Sequence, residues 1–147
     1  MQRRNFLKIA SGVALALLMH PMRVLANLWN KPAFEAVKII DAKTNLGLGQ
    51  EMPSKDIDIV APDRAENGAI VQIEITSRIP NTESISVLVE NNPTSLIGHF
   101  VFSNGALPQL VTRIKMADTS DVKVIVKAGD AYFSAAKNVV VLENGCG

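Results

Sequence analysis

The pattern of this chain predicts an all-β fold, an Ig-like β-sandwich of about seven strands with a short N-terminal helix and a flexible C-terminal tail. Val and Ile alternate with polar residues at period two over most of the chain after residue 56. Turn-forming Pro, Asn and Gly residues punctuate those runs at short intervals. Hydrophobic residues make up 48% of the 147 and charged ones 20%, enough for one globular domain with a real core.

The segment 27–48 reads as helical at its start. Pro32 suits a first helical turn, and Phe34, Val37 and Ile40 recur at a spacing that places them on one face. Asn45 and Gly47 end it, and a loop with Pro53 and Ser54 follows. Ile57 and Ile59 then alternate with acids, and 62–68 is a turn. Val71, Ile73 and Ile75 alternate with Gln72, Glu74 and Thr76, the mark of a half-buried strand with one polar face. Pro80-Asn81 breaks the chain; Ile85, Val87 and Val89 make the next strand, ended by Asn91-Asn92-Pro93. Runs at 96–102, 110–116, 122–128 and 131–142 complete the series, with turns at Asn104-Gly105 and Gly129-Asp130. No antibody-type cysteine pair or core tryptophan is present, so the likeness is one of architecture; the sole tryptophan, Trp29, precedes the strands. Met116 reads as core.

The N-terminus reads as an address. Arg3-Arg4-Asn5-Phe6-Leu7-Lys8 is a basic segment, the apolar run 9–19 follows, and Val24-Leu25-Ala26 offers compact residues for a signal peptidase. The apolar run is too short for a transmembrane helix, which needs about 20 residues. Paired arginines before Phe-Leu-Lys match the twin-arginine export signal, with a plain secretory signal as the alternative. The expected division is therefore 1–26 twin-arginine signal peptide, 27–142 helix plus sandwich, and 143–147 cysteine-bearing arm, with the mature chain in the periplasm. Four of the 15 basic residues lie in the leader, so 11 face 14 acidic ones beyond it, a balance near −3. That is not the basic, aromatic-studded footprint of a nucleic-acid binder.

An oxidising compartment makes the single cysteine informative. Cys146 has no internal partner, so it is either bonded to another molecule or kept free for a purpose. It lies in Glu143-Asn144-Gly145-Cys146-Gly147, where Gly145 and Gly147 supply conformational freedom and no core can form around the sulfur. Extended, 142–146 spans roughly 13–14 Å, enough to enter a partner's cleft. Glu143 and the terminal carboxylate disfavour a thiolate, so the thiol pKa is expected at or above the free value of about 8.5. That suits a carrier activated inside its partners better than a self-sufficient catalyst. Of the two histidines, His20 lies in the leader and His99 in a predicted strand, where a structural role is expected; a His99–Cys146 pair would need fixed geometry. No metal-ligand spacing occurs, so no catalytic residue, metal or cofactor is expected beyond sulfur intermediates on Cys146.

These features together resemble the SoxY family, the sulfur-carrier subunits of the bacterial thiosulfate-oxidising Sox system. The resemblance rests on the twin-arginine leader, Ala65-Glu66-Asn67-Gly68, Asn91-Asn92-Pro93, Thr112-Arg113-Ile114-Lys115-Met116-Ala117 and the terminal Gly145-Cys146-Gly147. It implies an Ig-like sandwich paired with a small SoxZ subunit, and Cys146 as the residue that carries sulfur. It implies loading with thiosulfate by a SoxXA-type cytochrome, release of sulfate by a SoxB-type hydrolase and, in some organisms, oxidation of the remaining sulfur by a sulfane dehydrogenase. Family tails typically read Gly-Gly-Cys-Gly-Gly; here Asn144 takes the first position and Gly147 is the last residue of the sequence, a departure from the family pattern. The competing class is an exported sandwich that serves as a binding module, its cysteine making a fixed intermolecular disulfide.

Overall fold

The computed structural model describes residues 29–143. The chain divides into a unit 1–30 and a unit 31–147, and the architecture below is that of the second. Its elements run α1 (Lys31–Phe34), α2 (Ile39–Leu46), β1 (Glu51–Pro53), β2 (Ile57–Val60), β3 (Arg64–Ala65), β4 (Val71–Ser77), β5 (Thr82–Val89), β6 (Leu96–Val101), β7 (Gln109–Ile114), β8 (Ser120–Ala128) and β9 (Ala131–Val141).

The alternation in β4 does what its sequence demands. Val71, Ile73 and Ile75 are fully buried, while Gln72 faces solvent and Glu74 and Thr76 are half-exposed. β4 is the middle of a three-stranded antiparallel sheet in the order β2-β4-β7. It faces a larger sheet in the order β1-β9-β8-β5-β6, with β3 also paired to β9. Ile85, Val87 and Val89 of β5 and Val122, Val124 and Val126 of β8 meet the small sheet in one core, which also holds the fully buried Met116. The all-β sandwich is thus present, with nine strands among the described residues.

Two of them, β1 and β3, fall where the sequence reads as loop and turn. Both pair in parallel with β9, one near each end: Glu51–Pro53 beside Tyr132 to Ser134, and Arg64–Ala65 beside Val140 and Val141. Between them the chain crosses to the small sheet as β2. Neither segment alternates, and Pro53 lacks an amide donor, so only the long partner strand reveals them.

The N-terminal helical reading also changes. The segment contains two short helices, separated by Lys38 in an extended conformation (φ −96°, ψ 141°). The break resets the helical phase. Val37 and Ile40 are exposed and Phe34 is half-buried, whereas Ala33, Ala36 and Ala42 face inward, flanked by Ile39 and Leu46. Gly47 ends α2 as expected: it takes the left-handed conformation (φ 67°), and the Leu48 amide donates back to the Lys43 carbonyl at 2.9 Å.

Those helices pack on part of the outer face of the large sheet, which explains the burial of Leu88 in β5. Every residue from 84 to 89 is buried, not only the alternate ones. Leu88, Leu96 and Ile125 pack outward against Ala33, Ala36 and Ala42 in a second apolar cluster. Ser95 ties that layer down, its amide and hydroxyl both donating to the Ala36 carbonyl at 2.9 and 3.2 Å. Beside it the Glu51 carboxylate of β1 accepts from Lys123 of β8 at 2.5 Å and from Lys43 of α2. Burial alone would raise this carboxyl, but the hydrogen bonds and charges of the two lysines hold it at about 2.

Candidate functional site at the root of the C-terminal arm

The proposed sulfur-bearing residue, Cys146, and its flanks Gly145 and Gly147 lie outside the described residues, as does the leader 1–26. The structure describes the platform from which that segment departs. β9 is the longest strand, and its last residues are held on one side by β3: the Leu142 amide donates to the Ala65 carbonyl at 3.0 Å and the Val140 amide to the Asp63 carbonyl at 3.0 Å. The Gly68 amide donates to the Glu143 carbonyl at 2.9 Å, so the chain is pinned through residue 143. On the other side the Thr119 hydroxyl accepts from the Val141 amide at 2.9 Å.

Three loops therefore gather at one end of the sandwich: 61–70, 90–95 and 115–119. The Asn91 amide nitrogen donates to the Thr119 carbonyl at 2.8 Å. Asn92 is buried, donates from Nδ2 to the Lys115 carbonyl at 2.7 Å, and accepts at Oδ1 from the Ala117 amide at 2.8 Å. Between those two points the Met116 amide donates to the Gly68 carbonyl at 2.8 Å. Three separate sequence motifs, Ala65 to Gly68, Asn91 to Pro93 and Thr112 to Ala117, thus meet around the last pinned residue. Their spacing in sequence gave no sign of this, because each bond joins segments at least 23 residues apart.

The pin at Glu143 sets the arm's length. Cys146 stands three residues beyond Glu143, a span of about 10–11 Å when extended, shorter than the reach counted from residue 142. Glu66, Asp118 and Glu143 are exposed around the root, with Arg64 and Lys115 also exposed; the Asp63 carboxylate is paired with Lys137, whose hydrogen bond holds it below the usual carboxylate range.

His99 takes no part in this site. It sits on β6, three strands from β9, in register with Ser86, Ile125 and Ser134. From Ser134 to the end of β9 is about 23 Å along the strand, and the sideways step across three strands adds about 14 Å. Both distances exceed the arm's reach. Its Nδ1 lies 2.9 Å from the Ser86 hydroxyl, and burial lowers its pKa from the ordinary value, which marks a neutral, structural histidine. Among the described residues no three of His, Cys, Asp or Glu gather where they could hold a metal ion.

The comparisons with known proteins bear on this geometry. No protein with a curated description matches the chain. The sulfur carrier protein SoxY from Chlorobium limicola f thiosulfatophilum superposes with a TM-score of 0.65 at 30% identity, covering 71% of this chain and 96% of that one. The superoxide reductase (neelaredoxin) from Ignicoccus hospitalis superposes with a TM-score of 0.51 at 18% identity, over 58% of this chain and 79% of its own, a likeness of fold alone. The family described as "Sulfur oxidation protein SoxY" matches residues 43–146, a range that holds every strand, the three converging loops and Cys146. On that match, and on the solved carrier that shares its fold, the chain belongs to the SoxY family.

Proposed function

We propose that this protein is a periplasmic covalent carrier in thiosulfate oxidation, holding sulfur intermediates on Cys146 and presenting them to partner enzymes. The observation that supports it best is the pinned root. A well-anchored strand end, built from the family's own motifs, stands three residues before the only cysteine in the chain. Joining a thiol to thiosulfate makes a new S–S bond and releases two electrons and a proton, which is work for a cytochrome of the SoxXA type. Water then cleaves the terminal S–S bond of the adduct, leaving sulfate and a persulfide on Cys146, which is work for a SoxB-type hydrolase. A sulfane dehydrogenase would oxidise the sulfur that remains. The carrier itself supplies no base in this scheme. His99 is out of reach, and the acids near the root disfavour a thiolate until a partner's site changes its surroundings. A small SoxZ-like sandwich is the proposed stable partner, and the twin-arginine leader 1–26 the proposed route to the periplasm.

Cys146→Ser tests the carrier role. In a reconstituted Sox system the variant should lose thiosulfate-dependent cytochrome reduction, because serine cannot form the S–S bond. Its stability should stay within about 0.5 kcal/mol of the parent, as for changes outside a core. Retained turnover would overturn the proposal. A single fixed disulfide to one protein partner would favour the binding-module reading instead.

A further inference from the structure

We propose that Asn92 is a positioning residue, which acts through Met116 and Gly68 to fix the place and direction in which the chain leaves the sandwich toward Cys146. The geometric part stands on hydrogen bonds alone; its consequence for turnover rests on the carrier reading above.

Asn92 is 8% exposed, and a buried amide is costly unless both its donor and its acceptor are used. Here both are used, and on one strip of backbone: Nδ2 to the Lys115 carbonyl at 2.7 Å, Oδ1 from the Ala117 amide at 2.8 Å. The side chain grips the chain either side of Met116 much as a neighbouring strand would. Met116 is thereby held with its side chain fully buried and its amide aimed at the Gly68 carbonyl, 2.8 Å away. Gly68 in turn donates its own amide to the Glu143 carbonyl at 2.9 Å. The relay runs from Asn92 to residue 143 through three loops and stops three residues short of the cysteine. Only an amide serves at its head. Aspartate has nearly the same shape but would set an oxygen against the Lys115 carbonyl in place of a donor.

The consequence is a short tether on a fixed post. Losing the Gly68–Glu143 bond while Ala65 still holds the Leu142 amide would lengthen the segment that leads to Cys146 from three residues to four. A tether longer by a third lowers the effective concentration of its end by the three-halves power of length, about 1.5-fold.

Cys146 is the only cysteine, so a nitroxide can be placed on it without further change. In the parent protein, such a label should broaden the amide signals of 64–70 and 115–120 and leave the opposite end, around 102–108, untouched. In Asn92→Asp the broadening should spread along the sandwich and the Gly68 amide should exchange faster. With unlabelled protein, the KM of a SoxB-type hydrolase for the loaded carrier should rise about 1.5-fold with kcat unchanged. Ser77→Ala, which removes a buried hydroxyl bonded to Thr82 at the opposite end, should move none of these. If Asn92→Asp does not fold, Asn92→Ser, which is uncharged and too short to reach both the Lys115 carbonyl and the Ala117 amide, should show the same changes. Unchanged Gly68 exchange and broadening in whichever variant folds would overturn the proposal. Altered broadening with Cys146→Ser still turning over would leave the positioning intact and remove the carrier. Unaltered broadening with Cys146→Ser inactive would do the reverse.

Discussion

Replacing Glu51 with glutamine removes the one carboxylate that joins β1, β8 and α2. Its side chain is 12% exposed, and those of Lys43 and Lys123 are 17% and 29% exposed. The substitution keeps the shape and leaves two largely buried ammonium groups facing an uncharged amide. Breaking a fully buried pair costs about 3–5 kcal/mol; the partial exposure of both lysines reduces that here to about 2–3 kcal/mol. For a domain of this size the melting temperature should fall by about 8–12 °C at neutral pH. The pH dependence gives a sharper test. The folded carboxyl sits at about 2 against an ordinary value of 4.5, so its stabilisation is complete above pH 4.5 and is lost as pH falls through 2. Asp63 and Glu83 are also held below their ordinary values, by Lys137 and Lys127, but both proteins share them and they cancel in the difference. Denaturant titrations of parent and Glu51→Gln should therefore differ most near pH 6 and converge toward pH 2. A stability gap that stayed constant over that range would refute the assignment of the effect to this charge.

Leu88→Ala should cost about 3 kcal/mol, because Leu88 is fully buried between the large sheet and Ala33, Ala36 and Ala42; denaturant unfolding measures it, and carrier turnover well below the melting point should persist. His99 is held neutral by burial, so its contribution falls away as pH drops below about 6.5 and the unfolded chain takes up the proton. His99→Gln should flatten the stability profile between about pH 6.5 and 5 and leave turnover at neutral pH unchanged; a loss of turnover would contradict a structural role. Replacing Arg3 and Arg4 together by lysine should leave precursor in the cytoplasm by fractionation, since the export receptor reads arginines rather than charge.

Much of the sandwich was legible because its strands bury one face and wet the other, as in Val71 to Thr76. Residues 84–89 show the limit. Only Ile85, Val87 and Val89 stand out by period, while Ser84, Ser86 and Leu88 are buried as well, Leu88 by a helical layer that local pattern does not announce. The helix phase failed for a related reason: with Lys38 extended, Phe34 still packs on the cluster of Ala33, Ala36 and Ala42, while Val37 and Ile40 are left exposed. β1 escaped notice because Glu51-Met52-Pro53 is a strand only by virtue of β9, some 80 residues on. At the arm the cysteine and its glycines were visible as chemistry, and the motifs around Gly68, Asn92 and Met116 as resemblance. Their common task was not visible, since a bond from Gly68 to Glu143 leaves no local trace.

The intact mass of the protein, isolated from its own organism during growth on thiosulfate and measured before and after reduction, tests the central claim most directly. A carrier loaded on Cys146 should arrive as a heterogeneous set of adducts differing by sulfur atoms and sulfonate groups, all collapsing to the mass of the bare mature chain on reduction. An unmodified chain, or one fixed disulfide to a single protein, would contradict it.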